Sequence, residues 1–213
     1  MKKRLSAAES RERFPLPTPM LPGADHLPTL DTPRLHLRWL TPADDADLLA
    51  VFGDIEVCRY TAREVLTELA GAAALREEIA ASFAARTLFQ WGLARRTDDR
   101  VLGTLTLFGF SAAHRRAEVG YALGRAHWGR GYVSEALDAA LRFAFETLAL
   151  HRLEADVDPR NPASMRVLER AGFTREGFLR ERYHVHGEVQ DAVYYGLLRR
   201  EWEARQALAR ATA

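Results

Sequence analysis

Apolar and polar residues alternate through Arg34-Leu35-His36-Leu37-Arg38-Trp39-Leu40, the two-residue period of a half-buried strand. Thr41-Pro42-Ala43-Asp44-Asp45 then predicts a helix running towards Phe52, with Thr41 as N-cap and Pro42 at the first helical position. A second helical region is predicted over about residues 62–85, where Val65, Leu66, Leu69, Leu75, Ile79 and Phe83 mark one face. Residues 88–94 and 101–110 read as strands joined across Thr97-Asp98-Asp99-Arg100, and residues 117–123 as a third strand of the same antiparallel meander. Beyond Val133 the apolar positions Ala136, Leu137, Ala140, Leu141, Ala144 and Leu148 return to helical spacing. A short strand over 153–157, a helix over 162–171 closed by Gly172, and a hairpin of 178–185 with 190–198 through His186-Gly187-Glu188 complete the pattern. The expected class is α/β, with a mixed, largely antiparallel central sheet and flanking helices.

At 213 residues, 47% of them apolar, the chain has the material for one domain with tails. Residues 1–27 carry Pro15, Pro17, Pro19, Pro22 and Gly23 with no apolar period, and read as a flexible arm; residues 28–203 form the domain and 204–213 a C-terminal tail. No stretch approaches a membrane span or a signal core, so the cytoplasm is the expected compartment. Cys58 is the single cysteine, no His-Glu-x-x-His pattern occurs, and His184 with His186 lacks further ligands, so no metal is expected. A net charge of +1 argues against direct nucleic-acid binding.

Candidate chemistry concentrates in Glu118-Val119-Gly120-Tyr121-Ala122-Leu123-Gly124 and the following Arg125-Ala126-His127-Trp128-Gly129-Arg130-Gly131-Tyr132-Val133-Ser134. This is a strand, a tight glycine loop and a helix start. Gly129 and Gly131 let backbone N–H groups converge without Cβ obstruction, and the helix adds its unpaired N–H groups and positive dipole end, which makes a phosphate cradle. The loop lacks the Gly-Lys-Ser/Thr of a nucleotide P-loop, and Ser134 stands where a dinucleotide fingerprint has its third glycine. Glu154 is suitably spaced to be a ribose-binding acid, yet the loop follows a run of strands instead of opening the fold, which leaves an oxidoreductase as runner-up. Arg125 and Arg130 flank the loop as candidate phosphate ligands or as a solvated pair.

With the second segment, Asp158-Pro159-Arg160-Asn161-Pro162-Ala163-Ser164-Met165 through Leu168, Ala171, Gly172 and Phe173, the chain resembles the GCN5-related N-acetyltransferase superfamily, in its RimJ/RimL-like ribosomal-protein-alanine acetyltransferase branch. The resemblance spans roughly residues 28–203. It implies splayed central strands holding acetyl-CoA, with the diphosphate on Trp128, Gly129, Arg130, Gly131, Tyr132, Val133 and Ser134 and the pantetheine arm along Tyr121, Ala122 and Leu123. It also implies that Asn161 bonds the pantetheine, that Ser164 acts on the departing thiolate, and that Glu118 activates the amine. Each has a plainer reading: Asn161 as a helix N-cap, Ser164 as a capping-turn serine, Glu118 as an edge carboxylate. Tyr183, His184 and Asp191 are alternative bases.

Two departures matter. Leu168 stands where many members carry a tyrosine acid, and Ala126 where many carry Gln or Arg ahead of the loop. The resemblance implies transfer of an acetyl group from acetyl-CoA by direct attack of a primary amine, foremost a protein N-terminal α-amine such as that of a ribosomal protein. A small amine (polyamine, aminoglycoside or amino-acid derivative) and a non-catalytic acyl-CoA-binding regulator are the alternatives. The enzyme is expected to work without metal or membrane, as a monomer or homodimer.

Overall fold

Residues 21, 24–61, 63–185 and 187–211 are described by the computed structural model. The chain enters through β1 (Leu30–Asp31) and β2 (Leu35–Arg38), then a 3-10 turn (Pro42–Asp44) leads into α1 (Asp45–Phe52) and the short α2 (Ile55–Cys58). After α3 (Leu69–Ala84) come β3 (Leu88–Arg95), β4 (Val101–Ser111) and β5 (Arg116–Leu123), followed by α4 (Tyr132–Arg142) with a π-helical last turn (Phe143–Thr147). The remainder is β6 (Arg152–Val157), α5 (Pro162–Ala171), β7 (Thr174–Val185), β8 (Glu188–Leu198) and α6 (Arg199–Ala211). The strands form one sheet in the order β1-β2-β3-β4-β5-β6-β8-β7. All neighbours are antiparallel except β5 and β6.

Each face of the sheet buries its own set of side chains, as the two-residue period requires. On one face Leu37, Trp91, Leu93, Leu105, Leu107, Ala117 and Val119 pack with Ala136, Leu137, Ala140 and Leu141 of α4. On the other, Ala94 and Val101 pack with Leu48, Val51 and Phe52 of α1 and with Leu75 and Ile79 of α3. Because β3 is covered on both sides, it is buried almost throughout.

The β5–β6 pairing decides where a site can form. It is parallel and lasts only from Arg116–Arg152 to Glu118–Glu154. Beyond Glu118, β5 stays with β4 as far as Leu123 while β6 stays with β8 as far as Val157, so the two strands part in the middle of the sheet. This is the splay expected of the central strands, and the mixed, mostly antiparallel α/β class is as expected.

Several boundaries differ from the sequence reading. Leu27, assigned to the arm, is 1% exposed within the core; Ala24 accepts a hydrogen bond from Arg86 Nη2 at 2.8 Å and Pro28 one from Trp91 Nε1 at 2.9 Å. The packed domain therefore begins before residue 28; residues 1–20, 22 and 23 of that arm lie outside the described residues. The tail assigned to 204–213 is helical to Ala211 and Arg205 donates to the Arg170 carbonyl, while earlier in the same helix Trp202 packs against Phe145 with tilted rings 5.3 Å apart. Val65 and Leu66 precede α3 instead of joining it, because the Leu66 N–H is taken by the Phe52 carbonyl at 2.9 Å. The strand read over residues 34–40 is β2, preceded by the short β1, and it begins at Leu35, since the Arg34 N–H turns to Glu135 Oε1 at 2.7 Å.

At the outer edge β7 is interrupted by register shifts at Arg175/Gly177 and Leu179/Tyr183, with Glu181 at φ 52° and its N–H capped by Asp191 Oδ1 at 2.8 Å. This edge strand carries Phe178, Leu179 and Tyr183 at 37–45% exposure.

Leu27→Ala should destabilise the protein by about 2–4 kcal/mol, the cost of emptying a core leucine site, measured by urea unfolding. A change below about 0.5 kcal/mol, the size of a surface substitution, would return Leu27 to the arm.

Candidate active site

Gly131 opens α4 as its N-cap in the left-handed region at φ 76°, and Gly129 two residues earlier is also left-handed at φ 72°. A Cβ at either position would be strained by that backbone whatever the space around it. The N–H groups of the first turn of α4 have no intrahelical partner and lie at the positive end of the helix. Trp128, Gly129, Arg130 and Gly131 are exposed, while Tyr132, Val133 and Ser134 are half-buried. The loop thus has the form of an anion cradle, and its residues suit the diphosphate of a coenzyme A.

The flanking arginines are used differently from one another. Arg125 is ion-paired with Asp54 at 3.0 Å, on the side of α1. Arg130 is exposed, and its carbonyl accepts from Arg34 Nη1 at 2.9 Å. Arg34 also lies over the Tyr132 ring at 4.6 Å and donates Nε to Glu135 Oε2 at 2.6 Å. Glu135 Oε1 takes the Thr32 hydroxyl at 2.6 Å as well as the Arg34 N–H. Burial works against the Glu135 carboxylate, but the Thr32 and Arg34 donors outweigh it and hold the group below its usual range. Neither Arg34 nor Glu135 was singled out from the sequence, because they meet across 101 positions.

Within the splay, Tyr121, Asn161 and Ser164 come together. Asn161 Oδ1 accepts the Ser164 N–H at 3.1 Å, so the carbonyl end of its amide caps α5 and the NH2 end is left for other contacts. The Ser164 hydroxyl shares a hydrogen bond with the Tyr121 hydroxyl at 2.8 Å. Burial pushes the Tyr121 phenol up to about 12, so it stays protonated across the neutral range. Ala122 is half-buried and Leu123 buried; the Leu123 carbonyl accepts from the Trp128 indole at 2.6 Å. Leu168, in the place of the absent tyrosine, is fully buried in the core.

At the closed end of the splay stands a carboxylate group. Glu118 and Glu154 are register partners, and Asp156 follows on the same face of β6. Glu154 is 8% exposed and is held by Arg116 and by Arg152 Nε at 2.8 Å. Burial, then the neighbouring Asp156 and Glu154 charges, raise the Glu118 carboxyl above its ordinary value. Gly109, at φ 60° in the β4 bulge, leaves room for it: a Cβ there would stand 2.9 Å from Glu118 Oε1. Burial and Asp156 likewise push the Tyr183 phenol up to about 12, and burial with the three carboxylates raises Tyr194. Asp156 and Tyr194 were not anticipated, since the parallel β5–β6 register brings Asp156 beside Glu118 and the antiparallel β6–β8 register sets Tyr194 opposite Asp156.

Of the other candidates, Asp191 caps the Glu181 N–H, a structural use, and His184 of β7 pairs in register with Val189 of β8, while His186 lies outside the described residues. Among the described residues no group of three or more His, Cys, Asp or Glu is placed to hold a metal, and no helix is long and apolar enough to cross a membrane.

Residues 34–174 match the acetyltransferase (GNAT) domain. The chain is 33% identical over 172 residues to the uncharacterized N-acetyltransferase YoaA of Bacillus subtilis (strain 168), covering 81% of this chain and 97% of that protein. It is 29% identical over 115 residues to the ribosomal protein uS5-alanine N-acetyltransferase of Escherichia coli (strain K12), covering 54% of this chain and 59% of that one. The crystal structure of spermidine N-acetyltransferase from Vibrio cholerae, in complex with CoA and spermine, superimposes with a TM-score of 0.70 at 22% identity, covering 79% of this chain and 98% of that one.

A carboxyl whose folded value is raised adds stability that is full below its unfolded value and is lost as pH rises through the folded one. Glu118→Gln should therefore be more stable than the parent at pH 7, with the advantage shrinking as pH falls through the raised folded value and gone below about 4.3, the ordinary glutamate value. Urea unfolding at both pH values measures this, and a difference independent of pH would mean that Glu118 sits in an ordinary aqueous environment.

Proposed function

The chain belongs to the acetyltransferase (GNAT) family and is an N-acetyltransferase, and from that premise we propose that it acetylates protein N-terminal α-amines in the cytoplasm, taking the acetyl group from acetyl-CoA by direct transfer. When bound, acetyl-CoA supplies a thioester carbonyl open to attack by an amine and a thiolate leaving group. The observation that carries the reading is the carboxylate group of Glu118, Glu154 and Asp156 at the closed end of the β5–β6 splay.

In this reading Glu118 takes the proton that the attacking nitrogen must lose, directly or through water. Its raised value makes it a mild base. An α-amine, with an intrinsic value near roughly 8, is already partly neutral at pH 7 and matches such a base, whereas an alkylamine of the lysine type near about 10 demands more. Asp156 adds a negative field that draws a protonated amine into the site, Glu154 being held by Arg116 and Arg152. Ser164 donates its hydroxyl to the thiolate, and Tyr121, protonated and bonded to it, orients that hydroxyl. The free edge of β5 from Val119 to Leu123 offers backbone donors and acceptors to the pantetheine amides, joined by the amide nitrogen of Asn161. Gly129, Gly131 and the first turn of α4, with Arg130 nearby, hold the diphosphate.

A covalent acetyl-cysteine has no support from the fold. Cys58 is fully buried, donates Sγ to the Phe52 carbonyl at 3.2 Å, and is pushed up by burial, away from a reactive thiolate.

Thiol release from acetyl-CoA with a panel of N-terminal peptides and polyamines tests the acceptor class. The α-amine reading expects kcat/KM for the best peptide to exceed that for spermidine by about tenfold or more, one step of 1.4 kcal/mol; the reverse order would move the enzyme to small amines. With the best acceptor, Glu118→Gln should lose most rate on the acidic limb, where neutral amine is scarce, and recover at high pH. Ser164→Ala should lose rate about equally at every pH, because the thiolate needs stabilising throughout. A Glu118→Gln profile parallel to the parent's would shift the base to Asp156 or Tyr183.

A further inference from the structure

Arg34 reaches the glycine loop from the opposite end of the sequence. Its guanidinium is 3.5 Å from the point where a Cβ on Gly131 would stand, on the side of the loop that the absence of a side chain leaves open. Nη1 holds the Arg130 carbonyl, Nε holds Glu135, and the plane lies over Tyr132. The side chain is nevertheless 47% exposed, whereas that of its partner Glu135 is 13% exposed.

Two consequences follow from this geometry. A peptide carbonyl that pointed into the loop would repel an anion, and Arg34 engages the Arg130 carbonyl, which precedes the N–H of Gly131. Glu135, in turn, is a carboxylate in the first turn of the helix whose N-terminus is the cradle. Unneutralised, it would cancel much of the positive end that a diphosphate uses. Thr32 and the Arg34 main chain supply only neutral donors to it, so Arg34 is its cation.

Resting on the reading of residues 128–134 as the diphosphate cradle, we propose that Arg34 is a cofactor-positioning residue. It offsets Glu135, fixes the Arg130–Gly131 peptide, and presents Nη2 of its half-exposed side chain to the diphosphate. Arg125, engaged with Asp54, is thereby relieved of the part that its place in the sequence suggested.

Arg34→Ala keeps the main-chain bond to Glu135 and should fold, with a melting temperature lowered by the loss of the Glu135 ion pair. Calorimetric titration with coenzyme A should show affinity weakened about 10- to 100-fold, the scale of one charge-assisted hydrogen bond. S-acetylpantetheine lacks the diphosphate, and kcat/KM with it should stay within about twofold, a separation that general damage to the fold does not produce. Adding Glu135→Gln to Arg34→Ala should restore part of the lost affinity for coenzyme A, since the offending charge is gone. Arg34→Lys, which keeps one charge without the fork, should fall between parent and Arg34→Ala, and it serves as the test if Arg34→Ala does not fold. Unchanged coenzyme A affinity, or equal losses with both donors, overturns the proposal. Gly131→Val separates the two readings: if it weakens coenzyme A while Arg34→Ala does not, only the role of Arg34 falls, and if neither does, the cradle itself is misplaced.

Discussion

Backbone groups inside a sheet need partners, and β5 and β6 stop supplying them to one another after Glu118 and Glu154. Every other feature of the site is arranged around that parting. The strands can diverge because each keeps its outer neighbour, β5 with β4 and β6 with β8, so neither loses its place in the sheet. The open edge would be costly if it were sealed from both solvent and ligand. Its far end is partly closed by the Trp128 indole on the Leu123 carbonyl, and α4 and α5 cover one face with side chains that face inward.

The same parting concentrates charge. Three carboxylates stand on one face within three residues of the point of divergence, and arginines neutralise them unequally: Arg116 and Arg152 are committed to Glu154. Glu118 is left with its proton held more tightly than usual. The arrangement costs stability at neutral pH and leaves a base near the end of the opened edge, which is a common exchange at functional sites. A second charge problem, Glu135 at the head of α4, is met locally by Arg34.

The helices and strands with strong periods were legible in the sequence. Residues 162–171 are helical as read, because Asn161-Pro162 and Gly172 are unambiguous start and stop signals. The meander of β3, β4 and β5 was equally plain. What escaped has a physical reason in each case. In α6 only Trp202 is buried, so its apolar stripe is too thin to read as anything but a tail. Leu27 has no periodic neighbours and is buried by tertiary contacts alone. The glycine loop and the Asn161–Ser164 turn were readable because local backbone chemistry demands those residues. The contacts of Glu118 with Asp156, and of Arg34 with Glu135, depend on strand register and on helix placement, which no local pattern encodes.

The broken course of β7 bears on how the protein behaves in a crowded solution. An outermost strand of 12 residues with exposed Phe178, Leu179 and Tyr183 has the makings of a template on which other chains stack. Regular pairing along it would need an uninterrupted row of donors and acceptors. The shifts at Arg175/Gly177 and Leu179/Tyr183, and the left-handed Glu181 whose N–H is already claimed by Asp191, cut that row into short pieces. Straightening this kink would leave the fold's interior untouched and remove its safeguard against growth into fibrous aggregates.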